Sequence, residues 1–147
     1  VLSCLQHAGS ERRESQKAGS KKGGEDYMIV GIGTDLIEIA RIEKACRKQA
    51  FLSRIYTEEE CRLAGGSISR LAGNFAVKEA VSKALGTGFR EFMPIDIEVL
   101  RNELGKPYVN LYGGAAKRAF ELNVGIIHVT ITNTKEYAQA FAVAEEQ

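Results

Sequence analysis

The sequence predicts an α+β domain, and three observations carry that expectation. A helical period runs from about residue 68 to residue 85. Ile95, Ile97 and Val99 alternate with Asp96 and Glu98, as in a half-buried strand. Two further alternating runs, 126–132 and 137–144, close the chain as a β-hairpin. Helices and antiparallel pairs thus mix along one chain. Its 147 residues, 44% hydrophobic and 27% charged, suffice for one domain with a real core.

Taken in order, the elements begin at residue 28. Residues 1–27 are rich in Gly, Ser, Lys, Arg and Glu and hold little apolar content after Leu5. Such a segment buries too little surface to offset its ordering entropy, so it is expected to be a disordered or vector-derived leader. It lacks the apolar stretch of a secretory signal, and Glu11, Glu14, Glu25 and Asp26 argue against a transit peptide. Met28 is the expected natural start, and residues 28–147 the folded domain. Met28–Gly33 reads as a short apolar strand, with two glycines where something approaches the backbone closely. Ile39, Ile42, Ala45 and Cys46 recur at helical spacing. Thr57-Glu58-Glu59-Glu60 is a capping box that starts a helix running to Gly65-Gly66. A longer helix covers Ile68 to Leu85. After the strand around Ile97, residues 102–105 form a turn and Tyr108–Tyr112 a partner strand entered through Pro107. Ala115–Leu122 is a helix closed at Asn123.

Composition excludes several classes. No apolar run approaches the ~20 residues that span a bilayer. The net charge of +1 falls to zero over residues 28–147, which gives no reason to expect nucleic-acid binding; a charged partner must be met by a local patch. Cys4, Cys46 and Cys61 are an odd, scattered set, which fits a reducing cytoplasm rather than a disulfide framework.

Chemistry concentrates in Phe75-Ala-Val-Lys-Glu-Ala-Val-Ser-Lys-Ala-Leu-Gly-Thr-Gly88. At helical spacing Phe75, Glu79, Ser82, Lys83 and Gly86 fall on one side, putting a carboxylate, a hydroxyl and an ammonium beside a glycine turn. The plainer reading of Glu79 and Lys83 is an exposed i,i+4 ion pair, and of Gly86-Thr87-Gly88 a helix C-cap. Asp35 follows the first strand in Gly31-Ile-Gly-Thr-Asp35 and with Glu79 offers two hard oxygen donors suited to Mg²⁺; its plainer reading is an N-cap for a helix near Leu36. His128 shares a strand face with Thr130 and Thr132, away from Ile127, Val129 and Ile131. Arg41, Lys44 and Arg47 or Lys48 form a basic stripe, either a solvated helix face or a docking stripe for an acidic partner.

Gly31–Ile42, the run from Phe75 to Gly88, Gly105-Lys106-Pro107 and Ile127-His-Val-Thr-Ile131 occur in that order. Together they make the stretch 28–145 resemble the holo-[acyl-carrier-protein] synthases, the small bacterial-type 4′-phosphopantetheinyl transferases. The resemblance implies a cytoplasmic enzyme that moves the 4′-phosphopantetheine arm of coenzyme A onto a serine of apo acyl carrier protein. Adenosine 3′,5′-bisphosphate is released, and the product supports fatty acid biosynthesis. It implies Mg²⁺ on Asp35 and Glu79, and a phosphate grip and charge stabiliser in Lys83. Ser82 and Gly86-Thr87-Gly88 would line the coenzyme A site, Lys106 and Pro107 would flank its nucleotide end, and His128 would act as phosphate ligand or proton relay. The group taking the serine proton stays open among Asp35, Glu79 and a water on the metal. Arg41, Lys44, Arg47 and Lys48 would meet the acidic carrier helix. The implied assembly is a homotrimer with active sites shared between subunits. Two positions depart from the pattern. Asn74 stands where many members carry Arg, and Asn133 where many carry a second polar ring. The alternatives are a domain that binds coenzyme A or carrier protein without transfer, and an unrelated nucleotide-binding scaffold.

Overall fold

The computed structural model describes residues 28–147, so the expected leader lies outside the described residues. The chain runs β1 (Ile29–Glu38), α1 (Ile39–Cys46), α2 (Gln49–Ile55), α3 (Glu58–Ala64), α4 (Ile68–Ala84), β2 (Ile97–Arg101), β3 (Pro107–Leu111), α5 (Gly113–Glu121), β4 (Val124–Asn133) and β5 (Tyr137–Glu146). The fold is α+β, as the alternation of patterns predicts. It holds two antiparallel sheets, a three-stranded one ordered β1-β5-β4 and the β2-β3 hairpin.

α4 is the spine. The face of the three-stranded sheet turned to α4 carries Gly31, Gly33 and Asp35 on β1, Ala138, Ala140, Ala142 and Ala144 on β5, and Ile127, Val129 and Ile131 on β4. Small residues let helix and sheet come close. A methyl group added at Gly31 would collide with the Ala84 carbonyl oxygen, and one at Gly33 with that of Ala80 while lying 2.9 Å from the Ala84 nitrogen. These are the glycines at which the sequence predicts a close approach. On its other side α4 packs against β2 and α3, so buried residues surround it almost completely.

A buried polar network joins those elements. The Lys78 ammonium lies 2.9 Å from Glu60 Oε2, and both side chains are fully buried. Lys78 also donates to the Ile97 and Pro94 carbonyls. Glu60 accepts from the Thr57 and Val99 amides and from Asn74 Nδ2. The Thr57–Glu60 capping box is present, with its carboxylate also serving as the counter-ion of Lys78. Burial lowers the Lys78 pKa, and the adjacent Glu60 charge opposes that shift.

Four sequence expectations change. β1 continues to Glu38, because Leu36 and Ile37 pair with Gln139 and Ala138. Asp35 is therefore inside the strand rather than after it, and the helix cap position belongs to Glu38. α2 has no counterpart in the expected elements. Pro94–Asp96 form a single 3-10 turn, so the second strand starts at Ile97 rather than Ile95. The C-terminal hairpin is longer at both ends than its alternating core, whereas α5 ends at Glu121, a residue earlier than expected, and the chain turns at Asn123 (φ 56°) as expected.

Among the described residues no helix is long and apolar enough to cross a membrane. Replacing Gly33 by Ala is expected to cost about 1–3 kcal/mol or more, because the obstructing atoms are backbone and cannot swing aside; urea unfolding measures it. Lys78→Met, which strands the buried Glu60 charge, is expected to cost about 3–5 kcal/mol in the same assay.

Candidate active site

Asp35 sits two residues beyond Gly33, on the same face of β1, so the close crossing of strand and helix delivers its carboxylate to the C-terminal part of α4. Lys83 Nζ lies 3.1 Å from Asp35 Oδ1 and donates to the Thr34 carbonyl at 2.8 Å. The lysine therefore pairs across to the strand, not along its own helix to Glu79. Glu79, one turn earlier, has its pKa raised, first by burial and then by the Asp35 charge, with Lys83 pulling the other way. Asp35, Glu79 and Lys83 thus form one electrostatic unit of net charge −1. Its two carboxylates are crowded, and its single cation stays half exposed.

The helix ends beside this unit. Gly86 (φ 82°) and Gly88 (φ 59°) take the left-handed backbone that the turn requires. The Gly88 amide ties back to the Ser82 carbonyl, and Arg118 of α5 donates Nε to the Leu85 carbonyl. Ser82 does not share the open side of the helix. It is buried, and its hydroxyl donates to the Glu79 carbonyl at 2.7 Å, which turns it from the expected ligand-lining residue into a buried packing residue.

His128 lies elsewhere. It pairs with Val143, which pairs in turn with Ile32, and these residues occupy the sheet face opposite Asp35. Its Nε2 is 3.0 Å from Glu145 Oε2. His128 shares a cavity of about 270 Å³ with Lys106 and Pro107, between β3 and β4. The sequence-selected residues therefore fall into two clusters within one chain, Asp35–Glu79–Lys83 with the Gly86–Gly88 turn, and Lys106–Pro107–His128.

A third region is the basic stripe. Arg41, Lys44 and Lys48 line a groove with Ala45 and Phe51, between α1 and α2. Arg47, the residue after α1, is exposed outside that lining.

Sequence reasoning missed the role of Asn74. Its amide donates to Glu60 Oε1 and the Val99 carbonyl, and its Oδ1 accepts from Arg101 Nη2 at 2.9 Å. A guanidinium does stand next to position 74, carried by β2 instead of α4. Asn133, the other departure, donates to the Ser69 carbonyl and hydroxyl, tying β4 to the start of α4. Neither link has a signal in local sequence, since both partners are distant in the chain.

Comparison with known proteins identifies the family and the fold. A profile of the 4′-phosphopantetheinyl transferase superfamily matches residues 31–142. The holo-[acyl-carrier-protein] synthase of Lachnoclostridium phytofermentans is 59% identical over 118 residues, covering 80% of this chain and 97% of that protein. The crystal structure of holo-[acyl-carrier-protein] synthase from Neisseria meningitidis superposes with a TM-score of 0.74 at 35% identity, over 81% of this chain and 100% of that one. A Bacillus anthracis holo-(acyl-carrier-protein) synthase in complex with CoA (3′,5′-ADP) gives 0.69 at 40% identity, over 82% and 99%. The chain belongs to the holo-[acyl-carrier-protein] synthases of that superfamily and is a phosphopantetheinyl transferase.

The coupling within the Asp35–Glu79–Lys83 unit has signs that can be measured. In metal-free protein, Asp35→Asn should bring the Glu79 pKa down while leaving it above its ordinary value, because burial persists. Lys83→Met should push it further up. Carboxyl-carbon NMR titration reads both shifts; movement in the same direction for the two variants would contradict the unit.

Proposed function

We propose that this chain transfers 4′-phosphopantetheine from coenzyme A to a serine hydroxyl of apo acyl carrier protein, in an Mg²⁺-dependent reaction that supplies cytoplasmic fatty acid biosynthesis. The observation that carries this reading is the meeting of Asp35, Glu79 and Lys83 where β1 crosses α4. The serine hydroxyl gives up its proton to Asp35, Glu79 or a water, and its oxygen forms a bond to the β-phosphorus of the pyrophosphate as the bond to the bridging oxygen breaks. Adenosine 3′,5′-bisphosphate leaves with that oxygen. Such a transfer needs positioning and charge neutralisation more than covalent help.

The residues fit a divalent cation. Asp35 and Glu79 are hard oxygen donors; burial raises the Glu79 pKa and the Asp35 charge adds to that rise, and a cation between the two carboxylates would oppose both effects. When bound, Mg²⁺ supplies Lewis acidity toward the pyrophosphate oxygens. Lys83, anchored by Thr34 and half exposed, can turn from Asp35 to a phosphate oxygen and follow the charge that develops on it. The Gly86–Gly88 turn offers close backbone approach to the substrate. Lys106, Pro107 and the cavity beside His128 suit the nucleotide end. The groove with Arg41, Lys44 and Lys48 around Phe51 suits an acidic amphipathic helix of the carrier protein, with charge on the rim and an aromatic ring at the centre.

Homotrimeric assembly is part of this proposal. Ile32, Leu36, Tyr137 and Phe141 are exposed on the sheet face away from α4, the same face that carries His128. Covering that face with a second copy hides the apolar patch, and brings the His128 of one chain toward another chain's α4 cluster.

Mixed with coenzyme A and Mg²⁺, apo carrier protein is expected to gain the mass of the phosphopantetheine arm in mass spectrometry. Binding without any mass gain across several carriers would leave only the non-catalytic alternative. Glu79→Gln should reduce turnover at ordinary Mg²⁺ by about 10²-fold or more; near-normal activity removes Glu79 from the proposed ligand set. Light scattering should report three copies for the wild type. Phe141→Asp should give a folded, inactive monomer.

A further inference from the structure

The loop that leaves α4 is held at both ends by α5, from two residues one helical turn apart. At its far end Gly114 backs onto the loop so closely that a methyl group there would collide with the Glu91 carbonyl and Phe92. At its near end Arg118 donates Nε to the Leu85 carbonyl at 3.1 Å. The same guanidinium stands beside the glycine turn. A methyl group added at Gly86 would lie 3.8 Å from Arg118 Nη2, the one atom beyond its chain neighbours within 4 Å among the described residues. The Arg118 side chain is 25% exposed, so its charge is held partly out of water.

Electrostatics make this end of α4 a poor place for an anion. The last carbonyls of a helix carry partial negative charge. The Asp35–Glu79–Lys83 unit adds a net charge of −1 beside the same last turns. Arg118 opposes both, because its cation is bonded directly to the Leu85 carbonyl at the helix end. That charge is only partly neutralised. Glu121 Oε2 lies 3.7 Å from Arg118 Nη1, and Glu121 Oε1 lies 3.9 Å from Lys117 Nζ. Two cations thus share one half-exposed acid on α5.

We infer that Arg118 is a positioning residue for the anionic substrate, acting through the Leu85 carbonyl to make the C-terminal end of α4 tolerant of negative charge. The inference rests on the proposed function, in which coenzyme A runs past the Gly86–Gly88 turn and Lys83. A brace for the loop needs only a neutral N–H on the Leu85 carbonyl, and Gly114 already fixes the other end. The charge is surplus to a brace. An anion beside Gly86 needs that charge, since the helix itself repels it. Glu121 sets how much of the charge is available, because it draws on the same guanidinium.

Isothermal titration of the full chain with coenzyme A, at low salt and at about 0.5 M salt, separates charge from bracing. At low salt Arg118→Ala is expected to weaken coenzyme A binding by about 3- to 30-fold, the range for a cation at a helix C-terminus. The ratio to wild type should fall toward one at high salt. Arg118→Lys should restore most of the loss, whereas Arg118→Gln, which keeps an N–H donor without the charge, should not. Glu121→Gln, which frees the guanidinium, should tighten binding by about 2- to 4-fold at low salt. Wild-type affinity in folded Arg118→Ala would overturn the inference, as would a salt-independent loss or equal rescue by Gln and Lys. Should Arg118→Ala fail to fold, Glu121→Gln decides, and unchanged or weaker binding there would count against it. A wild type that does not bind coenzyme A would overturn the proposed function and this inference together. Loss of carrier modification with the binding pattern intact would refute the transfer reaction and leave the role of Arg118 standing.

Discussion

β1 can lie against α4 because residues 31 and 33 have no side chain. That contact sets the rest of the candidate active site. With even a methyl group at either position, the strand would have to lift off the Ala80 and Ala84 carbonyls, and Asp35 would lift with it. Four alanines on β5 continue the same narrow seam. Two glycines in a strand carry an entropic penalty and bury no side chains. Nine residue pairs with β5 and the flanking Ile127, Val129 and Ile131 offset that penalty. The helix thereby presents Glu79 and Lys83 to a carboxylate that would otherwise stand too far away to couple with them.

Two charged groupings flank α4, and they differ in how fully they are satisfied. Glu60 and Lys78 have lost all contact with water, and each is bonded to several fixed partners. A network so saturated ties helix to hairpin and has no capacity left for a ligand. Asp35, Glu79 and Lys83 are the reverse. Two acids share one base, the lysine is half in solvent, and Glu79 is held above its ordinary pKa. Unbalanced charge at a partly open position is the signature of a group that awaits a partner.

Elements whose signals are local were legible in the sequence. The Thr57 capping box, the long helix, the α5 stop at Asn123 and the C-terminal hairpin each follow from a few neighbouring residues. What failed depended on distant partners. β1 runs past Asp35 because β5 is there to pair with Leu36 and Ile37. Ser82 looked available because a helical wheel assumes one buried face, yet α4 has the sheet on one side and β2 with α3 on the other. Lys78 reads as one more base on a charged helix until the fold places Glu60 above it. That Asp35, Glu79 and Lys83 come together was legible, whereas Arg101 was invisible because nothing in a strand sequence shows that its guanidinium reaches Asn74.

The position of His128 bears on why the enzyme would work as an assembly. A strand alternates its side chains between two faces, so no rotamer change carries a residue paired with Val143 to the face occupied by Asp35 and Ala140. Within one chain the His128 side chain and the acidic cluster lie on opposite faces of the sheet. The dividing face is unusual in what it exposes. Ile32 and Leu36 are each more than 60% exposed, with Phe141 between them at 42%. An apolar patch of that kind on an isolated chain invites a partner. In the proposed trimer the surface that hides the patch is also the surface that joins the clusters, so burying the patch and completing the site become one event.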